Sequence, residues 1–117
     1  MRDFKKLQIW QSGMHIVKAA YQLTNLLPMN EKFNLISQIN RSAVSIPSNI
    51  AEGSSRKSEK DYYHFLEIAL GSCFELETQI LILHELELAN QTLINDILER
   101  IRIEQQQITS LMNKLHC

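Results

Sequence analysis

Glycine and proline are scarce in this chain, with only three glycines and two prolines among 117 residues. That is too little turn material for an all-β fold. Cysteine is scarce as well. Cys73 and Cys117 stand at no metal-ligand spacing, and two cysteines without a secretory signal fit a reducing compartment better than a disulfide framework. The longest apolar runs, such as Ile80 to Leu83, fall far short of the ~20 residues that span a bilayer. The start, Met1-Arg2-Asp3-Phe4-Lys5-Lys6, leads into a stretch broken by Gln8, Gln11 and Ser12, which is not the form of a signal peptide. These features give the expectation of a cytoplasmic protein with no membrane partner.

What is present is ordinary for a globular domain: 44% hydrophobic residues, 21% charged residues and a formal net charge of −1. A single domain over residues 1–117 can bury roughly 65% of its unfolded surface, enough to fold without a disulfide or metal. Leu7, Trp10, Met14, Val17, Tyr21 and Thr24 recur at steps of three and four, predicting a first helix from about Asp3 to Leu27. Pro28 ends it, and Asn30 with Glu31 reads as the start of a second helix reaching about Glu52. Leu35, Ile39, Ser42, Ile46 and Asn49 form its seam, with Phe33, Ile36, Ala43 and Ile50 widening it. Pro47 lies inside this helix and predicts a kink; Gly53 reads as the stop.

Ser58 opens a third helix with Glu59 and Asp61 in its first turn. Its seam is Phe65, Ala69, Ser72, Leu76, Gln79, Leu83 and Leu86. A fourth helix starts near Asn90 or Thr92 and carries Ile94, Ile97, Ile101, Ile108, Leu111 and Leu115. Each helix should measure about 33 to 45 Å. Short connections place sequential helices side by side, so the fold class is all-α, an antiparallel up-down-up-down four-helix bundle.

Catalytic patterns are missing. A di-iron bundle needs Glu-x-x-His on two helices plus two further carboxylates. Here Asp61-x-x-His64 occurs once, and His15, His84 and His116 follow Ser12, Leu81 and Asn113. No phosphate loop, nucleophile elbow or His-Glu-x-x-His motif occurs. Cys73, beside Gly71, Ser72 and Phe74, reads as a small core residue. No catalytic, cofactor-binding or metal-binding residue is expected.

The most unusual pattern is a polar stripe on the second helix: Gln38, Arg41, Ser45, Asn49 and Glu52. It reads either as a solvent-facing side or as a buried or interfacial network, since Ser42, Ala43, Ser45, Ser48 and Ala51 would admit a close neighbour. Folding back onto the first helix sets Ser45 and Pro47 near Gly13. Glu67 or Glu75 lies within about a turn of Arg41, the partner that a buried arginine would need.

Three stretches carry a family resemblance: Trp10-Gln11-Ser12 with Tyr21; Gln38-x-x-Arg41-Ser-Ala-Val-Ser45-Ile-Pro-Ser-Asn49-Ile-Ala-Glu52-Gly53; and Phe65-Leu-x-Ile-Ala69-x-Gly71-Ser72-x-x-Glu75-Leu-Glu. With Glu31 and Phe33, they resemble the bacterial four-helix bundle proteins encoded in 23S rRNA intervening sequences. The accessory variability proteins of diversity-generating retroelements share that superfamily. The resemblance implies a ring-forming bundle, typically a homopentamer, without enzymatic activity. In the retroelement branch it implies binding to nucleic acid and a reverse transcriptase. It also implies that Arg41, Ser45, Asn49 and Glu52, with Ser72 and Glu75, are the family's polar positions. This chain, at −1, departs from the basic character of the retroelement proteins, which speaks against that role.

In such a bundle one end collects Arg2, Lys5, Lys6, Arg56, Lys57, Lys60 and Lys114 against Asp3, Glu52, Glu59 and Asp61. The other collects Glu31, Glu85, Glu87, Asp96 and Glu99 against Lys32. The basic residues are the candidate nucleic-acid contacts, and Phe4, Tyr62 and Tyr63 are nearby stacking candidates if the core does not claim them. The expected function is a ring-forming, non-enzymatic bundle that binds RNA or other nucleic acid weakly. The alternative is a protein-interaction scaffold with no nucleic-acid role.

Overall fold

A computed structural model describes residues 2–116, side chains excepted at 31–33. Four α-helices carry the described chain, with no strand among the described residues: α1 (Gln8–Thr24), α2 (Ser37–Ser54), α3 (Glu59–Glu85) and α4 (Gln91–Asn113). They form a body of 44 × 22 × 20 Å. α1 packs on α2 and α4, and α3 packs on the same two helices.

Isoleucine and leucine at alternating steps of three and four fill the centre. Ile16 and Leu23 of α1, Ile39, Ile46 and Ile50 of α2, Leu66, Leu76, Ile80 and Leu83 of α3, and Ile94, Ile97, Ile101 and Ile108 of α4 are sealed from solvent. Each such side chain stabilises the fold by about 1.5–3 kcal/mol relative to an exposed one. Cys73 is a free, buried member of the same core. Cys117 lies outside the described residues.

Several boundaries differ from the periodicity reading. Phe4–Lys6 is a separate 3-10 turn, and α1 becomes regular only at Gln8. The second helical run does begin near Glu31, but as a 3-10 turn (Met29–Glu31) and a π turn (Lys32–Ile36) that lead without a break into the regular helix at Ser37. The core face of α1 is also offset. Ile9, Gly13, Ile16, Ala20 and Leu23 are buried, whereas Met14 and Tyr21 are each 43% exposed. The first helix carries two interleaved apolar stripes, and spacing alone does not say which faces inward. On α3, Leu86 is exposed rather than part of the seam.

Gly53 is not a helix stop. α2 runs through it to Ser54, and no glycine has a positive φ. Its role is close approach: a Cβ there would meet the Cβ of Phe65 at 2.6 Å and Cδ1 of Tyr62 at 3.1 Å. α2 also continues uninterrupted through Pro47, whose missing N–H leaves the Ala43 carbonyl without its intrahelical donor. Gly13 faces this point, its would-be Cβ 3.4 Å from Cβ of Pro47.

The caps of α3 and α4 follow from sequence. Ser58 accepts a bond from the Asp61 N–H at 3.1 Å, and Asn90 accepts from Thr92 and Leu93. α3 ends in a Schellman arrangement, with Leu88 N–H donating to the Leu83 carbonyl and Glu87 N–H to that of His84. Glu87 takes the left-handed φ of 54° that glycine usually fills.

Two substitutions test these backbone assignments by urea denaturation. Gly53→Ala should destabilise by about 1–3 kcal/mol through overpacking against Phe65. Glu87→Gly should stabilise by about 0.5–1 kcal/mol by relieving the left-handed residue.

Candidate functional site

The chain's beginning, the α2–α3 connection and the end of α4 come together in space. Arg2 Nη1 donates to the Arg56 carbonyl at 2.8 Å and reaches that of Ser54 at 3.4 Å. The His116 N–H donates to Glu59 Oε2 at 2.6 Å. A hollow of ≈ 540 Å³ opens there, lined by Arg2, Ser54, Ser55, Arg56 and Lys57.

The seven candidate cations are not equivalent. Arg2 is half-buried, its guanidinium 4.2 Å from the Tyr62 ring centroid. Arg56 lies 4.8 Å from the Phe65 ring centroid and 3.4 Å from Glu52 Oε1. Arg2 is engaged within the fold, whereas Arg56 makes these contacts with its side chain 43% exposed. Lys5, Lys6, Lys57, Lys60 and Lys114 are exposed and take part in no ion pair among the described residues. Lys114 stands apart from the hollow, beside a second one of ≈ 460 Å³ with Leu7, Gln107 and Leu111.

The aromatic side chains at this end are largely occupied. Tyr62 is 2% exposed and belongs to the core, so it cannot stack on a base. Burial pushes its hydroxyl pKa up, against an opposing pull from Arg2. Phe4 is half-buried and meets Trp10 edge to face at 5.3 Å; Tyr63 is half-buried as well.

The polar stripe of α2 divides between the two readings. Gln38, Arg41 and Glu52 face solvent. Arg41 is not the buried arginine that would require Glu67 or Glu75, which are exposed too. Ser45 and Asn49 are half-buried and form a network. Ser45 Oγ and Ser72 Oγ lie 2.8 Å apart, and Asn49 Nδ2 donates to the Ser45 carbonyl at 2.8 Å and its Oγ at 2.9 Å. One turn away, Ser42 Oγ donates to Gln79 Oε1 at 2.7 Å inside the core. Small residues let α2 and α3 come close, and their hydroxyls satisfy one another in the gap.

The acidic end is more balanced than the sequence count suggested. Arg100 Nε bonds Asp96 at 3.0 Å, and Arg102 bonds Glu99 at 3.1 Å. The Arg102 hydrogen bond holds the Glu99 carboxyl below its usual range. Glu31 and Lys32, assigned to that end, lie outside the described side chains, as does Phe33.

Sequence reasoning missed Glu104. It occupies a seam position between Ile101 and Ile108, is 0% exposed, and neither carboxylate oxygen has a hydrogen-bond partner among the described residues. Burial raises its pKa to about 8. The unfilled step in the α4 seam was the available signal. Among the described residues no three His, Cys, Asp or Glu side chains are grouped to hold a metal ion, and no helix is long and apolar enough to cross a membrane.

The fold has a solved counterpart: a protein of unknown function from the S23 ribosomal protein family of Bacteroides thetaiotaomicron VPI-5482. It superimposes with a TM-score of 0.83 at 24% identity, over 89% of this chain and 97% of that one. The sequence matches no curated protein. The model of the family described as 23S rRNA-intervening sequence protein matches residues 5–110, which include the polar stripe of α2, the Ser45–Ser72 contact and all but the edges of the basic end. The chain belongs to that family.

Proposed function

We propose that this protein is a non-enzymatic, self-associating helical scaffold whose subunits join side by side in a ring, typically of five, and contact nucleic-acid phosphates weakly at the basic end. The bundle in this reading is antiparallel, up-down-up-down, with α2 bent at Pro47. The contacts of Arg2 with Ser54 and Arg56, and of Thr24 Oγ1 with Asn40 Oδ1 at 3.0 Å, support that arrangement.

The observation that carries the ring is a pair of unpartnered apolar faces with opposite charge. On the outer side of α3, Ile68, Phe74, Leu81 and Ile82 are 38% to 53% exposed, interspersed with Glu67 and Glu75. Gly71 lies among them with open space beyond its Cα. On the outer side of α1 and α2, Met14, Tyr21 and Val44 are 40% to 43% exposed, alongside Lys18 and Arg41. Two different, complementary patches on one subunit make a heterologous contact, which closes into a ring when its rotation permits. Apolar patches of this kind mark interaction surfaces.

The nucleic-acid part rests on Lys5, Lys6, Lys57 and Lys60, which a ring would repeat around one rim. With the neighbouring aromatics engaged, contact would be with phosphates alone, read through counterion release. One observation favours a protein partner instead. Leu26, Met29 and Leu86, toward the other end, are 57% to 74% exposed, an apolar surface no phosphate backbone would cover.

Light scattering should give about five times the 13.6 kDa protomer mass. Phe74→Asp should lower that mass while leaving the helical circular dichroism intact. A 13.6 kDa species at all micromolar concentrations overturns the ring. Binding to a labelled single-stranded RNA should fall about twentyfold between 50 and 200 mM salt if three phosphates are engaged, and should be lost in Lys57→Glu/Lys60→Glu. Salt-insensitive binding, or none at low salt, favours the protein scaffold.

A further inference from the structure

Glu104 is held in a notch. Its Oε2 lies 3.2 Å from where a Gly13 side chain would begin, and that same point is 3.4 Å from both Ile46 Cγ2 and Pro47 Cβ. The carboxyl thus fills the space that glycine leaves on α1, against the proline turn of α2. Among the described residues no donor or acceptor reaches either oxygen, and the side chain is 0% exposed. An ionised carboxylate without a partner in such a place is strongly disfavoured, and the neutral acid, though itself short of hydrogen bonds, costs far less.

Hollows lie along the α1–α4 groove: ≈ 320 Å³ beside His15, Lys18, Asp96 and Arg100, ≈ 110 Å³ beside Ser12, His15, Arg100 and Ile103, and ≈ 460 Å³ beside Gln107 and Lys114. Gln107 Oε1, one turn beyond Glu104, is also buried without a partner. Arg100, one turn before Glu104, is half-exposed on Asp96. It stands four residues away, the spacing at which opposite charges on a helix meet.

We propose that Glu104 is a proton-operated latch on the α1–α4 seam: as the neutral acid it stays in the Gly13 notch and joins α4 to α1 and α2, and as the carboxylate it swings into the groove toward Arg100 and His15, parting α4 from α1. The surroundings favour retention of the proton. Desolvation raises the carboxyl pKa to about 8, and α3 offers only Cys73 and Glu77, the latter taken by Gln105 at 3.0 Å. The Cys73 thiol is itself pushed upward, by burial first and then by the Glu104 and Glu77 charges. From α2 no charged group faces the notch; Arg41 and Glu52 are on its exposed side. α1 contributes His15 at the groove, and α4 contributes Arg100.

The sign follows from the raised native pKa. In the native protein the latch stays closed until pH nears about 8, while its contribution to stability is full below the unfolded value of 4.5, declines above it and is lost through about 8. Native-state hydrogen exchange, corrected for intrinsic rate, reads this directly. Protection of α4 and α1 amides should fall by up to about tenfold per pH unit between pH 5 and 8, while protection in the α2–α3 pair should hold. Glu104→Gln should abolish the pH dependence. Glu104→Leu, an apolar filler, serves the same purpose if the amide variant folds poorly. Gly13→Ala, which crowds the notch, should move the loss to lower pH, and Arg100→Gln should reduce the opening above pH 7. Wild-type protection that is flat from pH 5 to 8, a slope unchanged in both Glu104 variants, or a loss spread evenly over all four helices overturns the latch. These readouts follow single helices, so the test stands whether or not subunits associate.

Discussion

Close approach of α2 to its neighbours is the constraint on which this bundle rests. A helix containing proline has an unsatisfied carbonyl and tends to bend, so it needs a tailored surface on both sides. Gly13 supplies that surface on α1, and Gly53 comes so close to Phe65 and Tyr62 of α3 that an added Cβ would force them to shift. Between these points Ser42, Ser45 and Ser72 replace bulk with hydrogen bonds to Gln79 and to one another. Larger residues would push the helices apart and uncover the isoleucines beneath.

Much of this was legible before coordinates. Four segments, the Ser58 and Asn90 caps, the helix running through Pro47 and the apposition of Gly13 to Pro47 all follow from spacing and residue type. The inward face of α1 did not, because Met14 and Tyr21 form a second apolar stripe beside Ile9, Ile16 and Leu23. Periodicity gives the angle between stripes but not which one meets the core. Gly53 misled for a related reason. Glycine serves both chain reversal and tight packing, and only the neighbour across the gap, Phe65, decides between them.

The candidate site was less legible still. The sequence brings lysines and arginines to one end, but cannot say that Arg2 is taken up by Tyr62 and backbone carbonyls, or that Arg56 lies over Phe65 beside Glu52. Local engagement separates structural cations from available ones, and it is set by side-chain direction rather than by order along the chain. Glu104 is the converse case. A charged residue type usually signals surface, and here it marks the most thoroughly enclosed polar group of α4.

The Ser45–Ser72 contact ties together two deformable points. Pro47 weakens α2 two residues past Ser45, and Gly71-Ser72 is a glycine–serine pair within α3, the kind of dipeptide at which long helices flex. The hydroxyl bridge sets these two places at the same height, so the points where each helix bends most easily lie side by side.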